Sequence, residues 1–233
     1  MSAVDTISEF DTFAEGYDAA LNQGLAISGE EKSYFAAGRM NCLGRRLAQL
    51  EFDPESVLDF GCGTGSATSF FFSMLGVKRV LGVDSSGQSL VVAERTYGSS
   101  RVTFQLASEF TGNGEFDLAF CNGVFHHIPP AERPKALQQI HAALRPGGLF
   151  AFWENNPWNP GTRYVMSRIP FDRDAVLVWP NEARKLLREA GFEILRTDFA
   201  FVFPSFLRFL RGLERRVCRV ALGGQYMVLV RKR

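Results

Sequence analysis

One stretch, Val57-Leu58-Asp59-Phe60-Gly61-Cys62-Gly63-Thr64-Gly65, constrains this chain more than any other. An apolar strand runs into three glycines at alternate positions and then into a helical segment. Glycine lets the backbone turn sharply and approach a ligand closely, and the start of the next helix presents free N–H groups. A second apolar run, Leu81-Gly82-Val83-Asp84, ends on an acid, which sets a carboxylate beside the same crevice. Acids at that place accept the two hydroxyls of an adenosine ribose. Two nucleoside ligands compete for the loop. A dinucleotide fingerprint needs a glycine or alanine at 66, where the chain has Ser66. The observed G-x-G-x-G, with Asp59 two residues before it, suits a ligand with a positively charged amino-acid end.

Around this loop, short apolar strands alternate with helices. Strands are predicted at 56–60, 79–83, 102–106, 116–121 and 148–153, and helices near 66–75, 86–97 and 131–144. Such alternation predicts a parallel sheet covered on both faces. Apolar spacings of three and four make 1–52 helical, with an interruption and a new start at Ser28-Gly29-Glu30-Glu31. From Glu154 to Pro180 the rhythm breaks at repeated Asn-Pro and Pro-Gly signals, as in a lid or binding segment. Asn181 is then expected to cap a helix ending at Gly191, followed by a strand at 192–202, a helix at 206–221 and a last strand at 225–230.

The net charge of +1 conceals a polar distribution: residues 206–233 hold eight basic side chains and one acid, leaving 18 basic against 24 acidic before them. An acidic body is a poor partner for phosphate backbones, so nucleic acid is not expected as a substrate. At 100° per residue, Arg208, Arg211, Arg215 and Arg219 form a stripe on the 206–221 helix, opposite Phe206, Phe209, Leu210, Leu213, Val217 and Val220. Three readings stay open: packing on its own domain or a twin subunit, weak contact with an anionic membrane surface, or closure over an amphipathic substrate. Cys42, Cys62, Cys121 and Cys218 show neither a C-x-x-C pair nor zinc spacing, and Met1–Asp11 lacks the pattern of a signal peptide. The chain therefore reads as cytoplasmic with reduced thiols.

Val57–Gly65, Asp84 and the turn Leu144-Arg145-Pro146-Gly147-Gly148 together resemble the class I S-adenosylmethionine-dependent methyltransferases, in their small-molecule branch. The resemblance is strong over about 52–153 and looser beyond. It implies a doubly wound, Rossmann-like α/β fold with a seven-stranded sheet, its last strand antiparallel, and S-adenosyl-L-methionine as cofactor. One domain over 1–233 is expected: an N-terminal helical lid (1–52), a cofactor-binding core (53–153), a substrate-lid insertion (154–180) and C-terminal helices and strands (181–233). Carried over by position, Tyr17 would close over the cofactor. Asp59, Gly61, Gly63 and Gly65 would approach its methionine and ribose parts, and Asp84 its ribose hydroxyls. Ser85, Ser108 and Glu109 would sit near the adenine, and Asn122 beside the sulfonium. Ser108, Glu109 and Asn122 serve equally well as turn or cap residues.

For the acceptor, His126 just after strand four and Glu154 after strand five form a candidate base and its orienter; a loop-shaping role for His-His is the alternative. Asn155, Asn156 and Trp158 suit a polar acceptor or a self-bonded turn, and Arg39 an acidic group or solvent. No His/Asp cluster has metal-ligand spacing, so no metal is expected. The leading expectation is O-methylation of a polar or hydroxylated metabolite. N- or C-methylation of an amphipathic or lipid-like acceptor, a catalytically silent cofactor-binding subunit, and a dinucleotide-dependent dehydrogenase are the rivals.

Overall fold

A computed structural model of the chain describes residues 28–172 and 175–233. Tyr17, Phe10 and Phe13 lie outside these residues. Seven strands form one sheet: β1 (Ser56–Phe60), β2 (Arg79–Asp84), β3 (Val102–Leu106), β4 (Phe116–Asn122), β5 (Leu144–Asn155), β6 (Phe192–Ala200) and β7 (Gln225–Lys232). Their order is β3-β2-β1-β4-β5-β7-β6. All neighbours pair in parallel except β7, which runs antiparallel to both β5 and β6. The expected seven-stranded architecture is therefore present.

The pleat explains why these runs are apolar throughout. Val57, Leu118, Phe120, Leu149, Ala151, Trp153, Met227 and Leu229 join one core with Met40, Leu43 and Leu47 of α1 (Lys32–Gln49) and Phe71 of α2 (Thr68–Leu75). Their alternates Leu58, Ala119, Cys121, Phe150, Phe152, Val228 and Val230 join the other, with α4 (Arg133–Ala143) and α6 (Pro180–Glu189). Successive side chains point to opposite faces, so a sheet buried on both sides needs an unbroken apolar run. α3 (Gly87–Tyr97) links β2 to β3, its N-terminus capped by Ser86 Oγ accepting from Ser89 N at 3.1 Å. At the far edge, Arg46 of α1 donates from Nε and Nη2 to the buried Asp198 carboxylate of β6, at 2.7 and 3.0 Å.

Three expectations need correction. Pro180, not Asn181, begins α6, with Trp179 at the cap position; a proline at the first turn loses no hydrogen bond. The 154–180 insertion is not irregular: it holds α5 (Pro160–Met166), capped by Asn159 Oδ1 accepting from Thr162 N, and a 3-10 turn at Pro170–Asp172. The largest correction concerns 206–221. Ser205–Leu213 is a 3-10 helix broken at Leu207, and only α7 (Glu214–Val217) is α-helical. At three residues per turn, side chains i and i+3 eclipse. Phe206 and Phe209, on either side of the break, are both 76% exposed, while Leu207 and Leu210 are half-buried. The single arginine stripe does not form.

Candidate active site

The strand order reverses between β1 and β4, and the crevice beyond their carboxyl ends is where open α/β sheets bind ligands. Two cavities open there. One, of about 500 Å³, is lined by Gly61, Gly63, Asp84, Ser85, Ser108 and Asn122, among others. The other, of about 480 Å³, lies under α1, α5 and the Ser205–Leu213 segment. They share Gly61, Gly63, Thr64, Asn122, Gly123 and His127.

In the first cavity, Asp84 Oδ2 accepts from Gly63 N at 2.7 Å and Oδ1 from Ser86 N at 2.9 Å, so the acid braces the glycine turn as well as facing the cavity. A Cβ on Gly63, at φ +53°, would meet nothing within 4 Å, so the turn leaves open space there. Gly65 differs. Its Cβ would press on Tyr97, Phe104 and Ala93, and it lines neither cavity, so its part is close packing of the turn against β3 and α3. Glu109 also lines neither cavity and is exposed, whereas Ser85 and Ser108 lie where expected. Asp59 faces the junction from the second cavity. Burial first, then the neighbouring Asp84 carboxylate, pushes Asp59 up to about 7, with Arg39 opposing.

These residues fit a cationic nucleoside. Asp59 Oδ2 and Asn122 Oδ1 are buried without a hydrogen-bond partner among the described residues. Both line the cavity next to the empty space over Gly63. Buried polar atoms are rarely left so; a ligand carrying an ammonium and a sulfonium would satisfy the carboxylate.

The His126 expectation changes most. Its ring is buried, with Nδ1 2.6 Å from Glu154 Oε2 and Nε2 3.4 Å from Asp172 Oδ1. Burial lowers its affinity for a proton, but the Glu154 and Asp172 carboxylates outweigh burial and raise it to about 10. At neutral pH the imidazolium has no lone pair to offer, so His126 is not a free general base. Glu154 is equally committed: its Oε1 accepts from Phe125 N at 2.8 Å and His126 N at 3.3 Å, fixing the turn. His127, at the junction, reaches Asp172 Oδ1 at 3.2 Å.

Among the acceptor candidates, Arg39 and Asn155 line the second cavity; Arg39 Nη1 donates to Gln225 Oε1 at 3.0 Å, and Gln225 Nε2 to Asn155 Oδ1 at 3.2 Å. Asn156 and Trp158 do not line it. Asn156 is buried, donating to Ala221 O and Gly223 O and accepting from Trp158 N, which is the self-bonded turn. Trp158 lies against Trp179 and Phe199, 44% exposed.

Sequence reasoning missed Asp172, Arg133 and, in the aromatic wall beside Phe35, the rings of Phe171, Phe201 and Phe203. Arg133, fully buried, donates to Phe125 O, Ile128 O, Val176 O and Glu182, tying the His-His turn to the end of the insertion and to α6. Its position before a proline at a helix start was the available signal.

Comparison with known proteins agrees with the fold. The methyltransferase-domain family profile matches residues 57–148. A demethylmenaquinone methyltransferase of Symbiobacterium thermophilum is 31% identical over 247 residues, covering 89% of this chain and 91% of that protein. An uncharacterized methyltransferase of Synechocystis sp. is 30% identical over 157 residues, covering 64% of this chain and 73% of that one. A trans-aconitate 2-methyltransferase of Rhodopseudomonas palustris is 32% identical, but the match spans 54% of this chain and only 48% of that protein. In fold, the chain is similar to a possible histamine N-methyltransferase of Thermotoga maritima (TM-score 0.66, 16% identity, covering 96% of this chain and 98% of that one). It is also similar to a complex of the Haloferax volcanii Trm112 activator with a methyltransferase (TM-score 0.65, 18% identity, 96% and 97% covered). The chain belongs to the class I S-adenosylmethionine-dependent methyltransferases, and it is an enzyme of that class. Among the described residues, no helix is long and apolar enough to cross a membrane.

Proposed function

We propose that this chain methylates an oxygen of a hydroxylated small molecule whose body is largely apolar. The observation that carries the reading is the pair of cavities meeting at Gly61, Gly63, Asn122 and His127. The first cavity holds the nucleoside of the cofactor, with Asp84 on the ribose hydroxyls and Ser85 and Ser108 near the base; the charged end crosses the junction at Asn122 to meet Asp59, on the second cavity's side. When bound, S-adenosylmethionine supplies an electrophilic methyl group. The second cavity holds the acceptor, whose oxygen then lies in line with that methyl; alignment of this kind supplies much of the rate.

The wall of Phe35, Phe171, Phe201, Phe203, Met40 and Ile169 shields the reacting centre from water. Arg39, Asn155 and Gln225 give a few convergent polar contacts, as is usual in such pockets. With Asn156 and Trp158 outside the cavity, the support for a sugar-like acceptor weakens and that for a ring or chain with one polar end grows. Residues 154–180 act as the lid, through α5 and the Pro170–Asp172 turn.

The test is to incubate the protein with S-adenosylmethionine and two panels, phenols and aromatic hydroxy acids against free sugars, and to follow products by mass. Methyl ethers from the first panel are expected. Products only from the sugars, or methyl groups found on carbon or nitrogen, overturn the reading. Binding of NAD and not of S-adenosylhomocysteine would overturn the cofactor assignment as well.

A further inference from the structure

We infer that His126, His127 and Asp172 form a binding site for one first-row divalent metal ion at the floor of the acceptor cavity. All three line that cavity, and one donor atom from each lies within 4.8 Å of the other two. His126 Nε2 and His127 Nε2 stand 3.4 and 3.2 Å from the same oxygen, Asp172 Oδ1. Those separations match the edge of a coordination tetrahedron, about 3.3 Å when metal–ligand bonds are about 2.0–2.1 Å. Closing the remaining edge from its upper bound asks for a shift of at most about 1.5 Å between the two rings. Among the described residues, His126 Nε2 is buried without a well-formed hydrogen bond, its facing oxygen, Asp172 Oδ1, standing 3.4 Å away. It is a polar atom aimed at the point where an ion would sit.

The surroundings are those of a ligand rather than of a simple ion pair. Glu154 Oε2 holds His126 Nδ1 at 2.6 Å, which leaves Nε2 as the metal-facing atom; carboxylate–histidine pairs of this kind orient metal ligands. Arg133 braces the turn from behind through Phe125 O and Ile128 O, and Val176 N donates to His126 O at 2.9 Å. Two imidazoles and one carboxylate on one side of an ion leave positions open, and this donor set suits zinc, iron, cobalt or manganese over magnesium or calcium. Binding displaces the proton on His126 Nε2 to water.

His127 lies at the junction of the two cavities, so an ion held there faces the acceptor oxygen. On the O-methylation reading given above, on which this step rests, the ion would acidify the acceptor hydroxyl, whose proton leaves to water. The acceptor oxygen then bonds the methyl carbon as the methyl–sulfur bond breaks, the sulfur keeping the electron pair as S-adenosylhomocysteine departs.

The experiment uses the full chain stripped with a chelator. Zinc is titrated by calorimetry and cobalt by visible absorption, in the wild type and in Asp172→Asn, His127→Gln and the surface control Glu55→Gln. S-adenosylhomocysteine affinity is measured in parallel as the check on folding. One ion per chain is expected, with cobalt d–d bands, about 100-fold weaker in Asp172→Asn and His127→Gln and unchanged in the control. Absence of bands, or equal affinity in all four proteins, overturns the site. If either conservative variant loses S-adenosylhomocysteine binding, a cobalt-dependent shift of the histidine ring resonances in the wild type decides instead, and no shift overturns it. Metal binding without S-adenosylhomocysteine binding counts against the methyltransferase reading alone, and the reverse against the metal site alone.

Discussion

The two cavities share a floor but are built in opposite ways. The cofactor cavity draws on consecutive strand–helix units between Phe60 and Gln139, each adding residues from the end of a strand. Beyond a floor from 59–67 and 120–127, the acceptor cavity draws on three distant segments: 28–40, 155–172 and 201–225. The first needs only that each strand end in the right turn. The second needs the insertion, α1 and the C-terminal segment to meet, and long-range polar ties hold them. The acceptor half should therefore be the more fragile and the cofactor half the more chemically exacting.

The sharpest break of that contrast is at the Arg46–Asp198 pair, which clamps α1, and with it Arg39 and Met40, to β6. Removing one partner of a buried pair costs about 3–5 kcal/mol. At about 2–4 °C per kcal/mol for a chain of this length, Asp198→Ala should lower Tm by about 6–20 °C. A melt shifted by less than about 2 °C would show that α1 is held by its apolar face alone. Asp84→Ala strikes the other half. It removes the acceptor of Gly63 N and the ribose partner together. Calorimetry should find S-adenosylhomocysteine binding about 100-fold weaker, since charge-assisted hydrogen bonds contribute about 1.5–3 kcal/mol each. Tm should change little. A loss under fivefold would remove Asp84 from the ribose role.

The same contrast explains what could be read from the amino-acid order. The glycine turn, Asp59, Asp84 and Ser85 lie next to one another in the chain or at successive strand ends, so local pattern and the fold's rule for ligand placement located them. Gly65 was misread because a ligand-facing and a packing glycine look alike until Tyr97 and Phe104 are seen beside it. Asp172 was out of reach: only folding of the insertion brings it to His126 and His127. Placing His126 beside Glu154 was sound, but the second carboxylate on its ring, Asp172, which joins Glu154 in raising its proton affinity, is unseen in any spacing. The 206–221 segment failed for a different reason. Angle arithmetic presumes 100° per residue in one unbroken helix, whereas a 3-10 segment advances by more and this one breaks at Leu207, so the faces drift out of register.

Asp59 tests the junction between the halves through pH. Its folded value, about 7, lies above the ordinary 3.8, so the apo fold binds this proton more tightly than the unfolded chain. Stability from this group therefore falls as pH rises from about 3.8 to about 7, and the full cost is felt above that window. Asp59→Asn should raise the apo Tm by several degrees at pH 8, with the difference fading toward pH 4. A bound cation favours the carboxylate, so wild-type affinity for S-adenosylmethionine should rise with pH through about 7, while the variant stays flat. The variant should be about tenfold weaker at pH 8, equivalent to about 1.4 kcal/mol. Parallel pH profiles for the two proteins would mean that Asp59 meets no cationic part of the cofactor.

The smallest effect separates two exposed side chains that flank the break at Leu207. Phe206 and Phe209 are equally exposed, but only Phe206 lines the mouth of the acceptor cavity. Exposed positions change stability by about 0.5 kcal/mol or less, so neither Phe206→Ser nor Phe209→Ser should move Tm measurably. Phe206→Ser should raise the acceptor KM about threefold, in line with loss of part of one apolar contact, leaving kcat and cofactor affinity unchanged. Phe209→Ser should leave all three alone. Equal KM effects in the two variants would mean that the two rings work as one surface, with acceptor arriving across both. No effect in either would confine the acceptor to the inner wall of Phe35, Phe201 and Phe203, and with it the specificity of this half of the molecule.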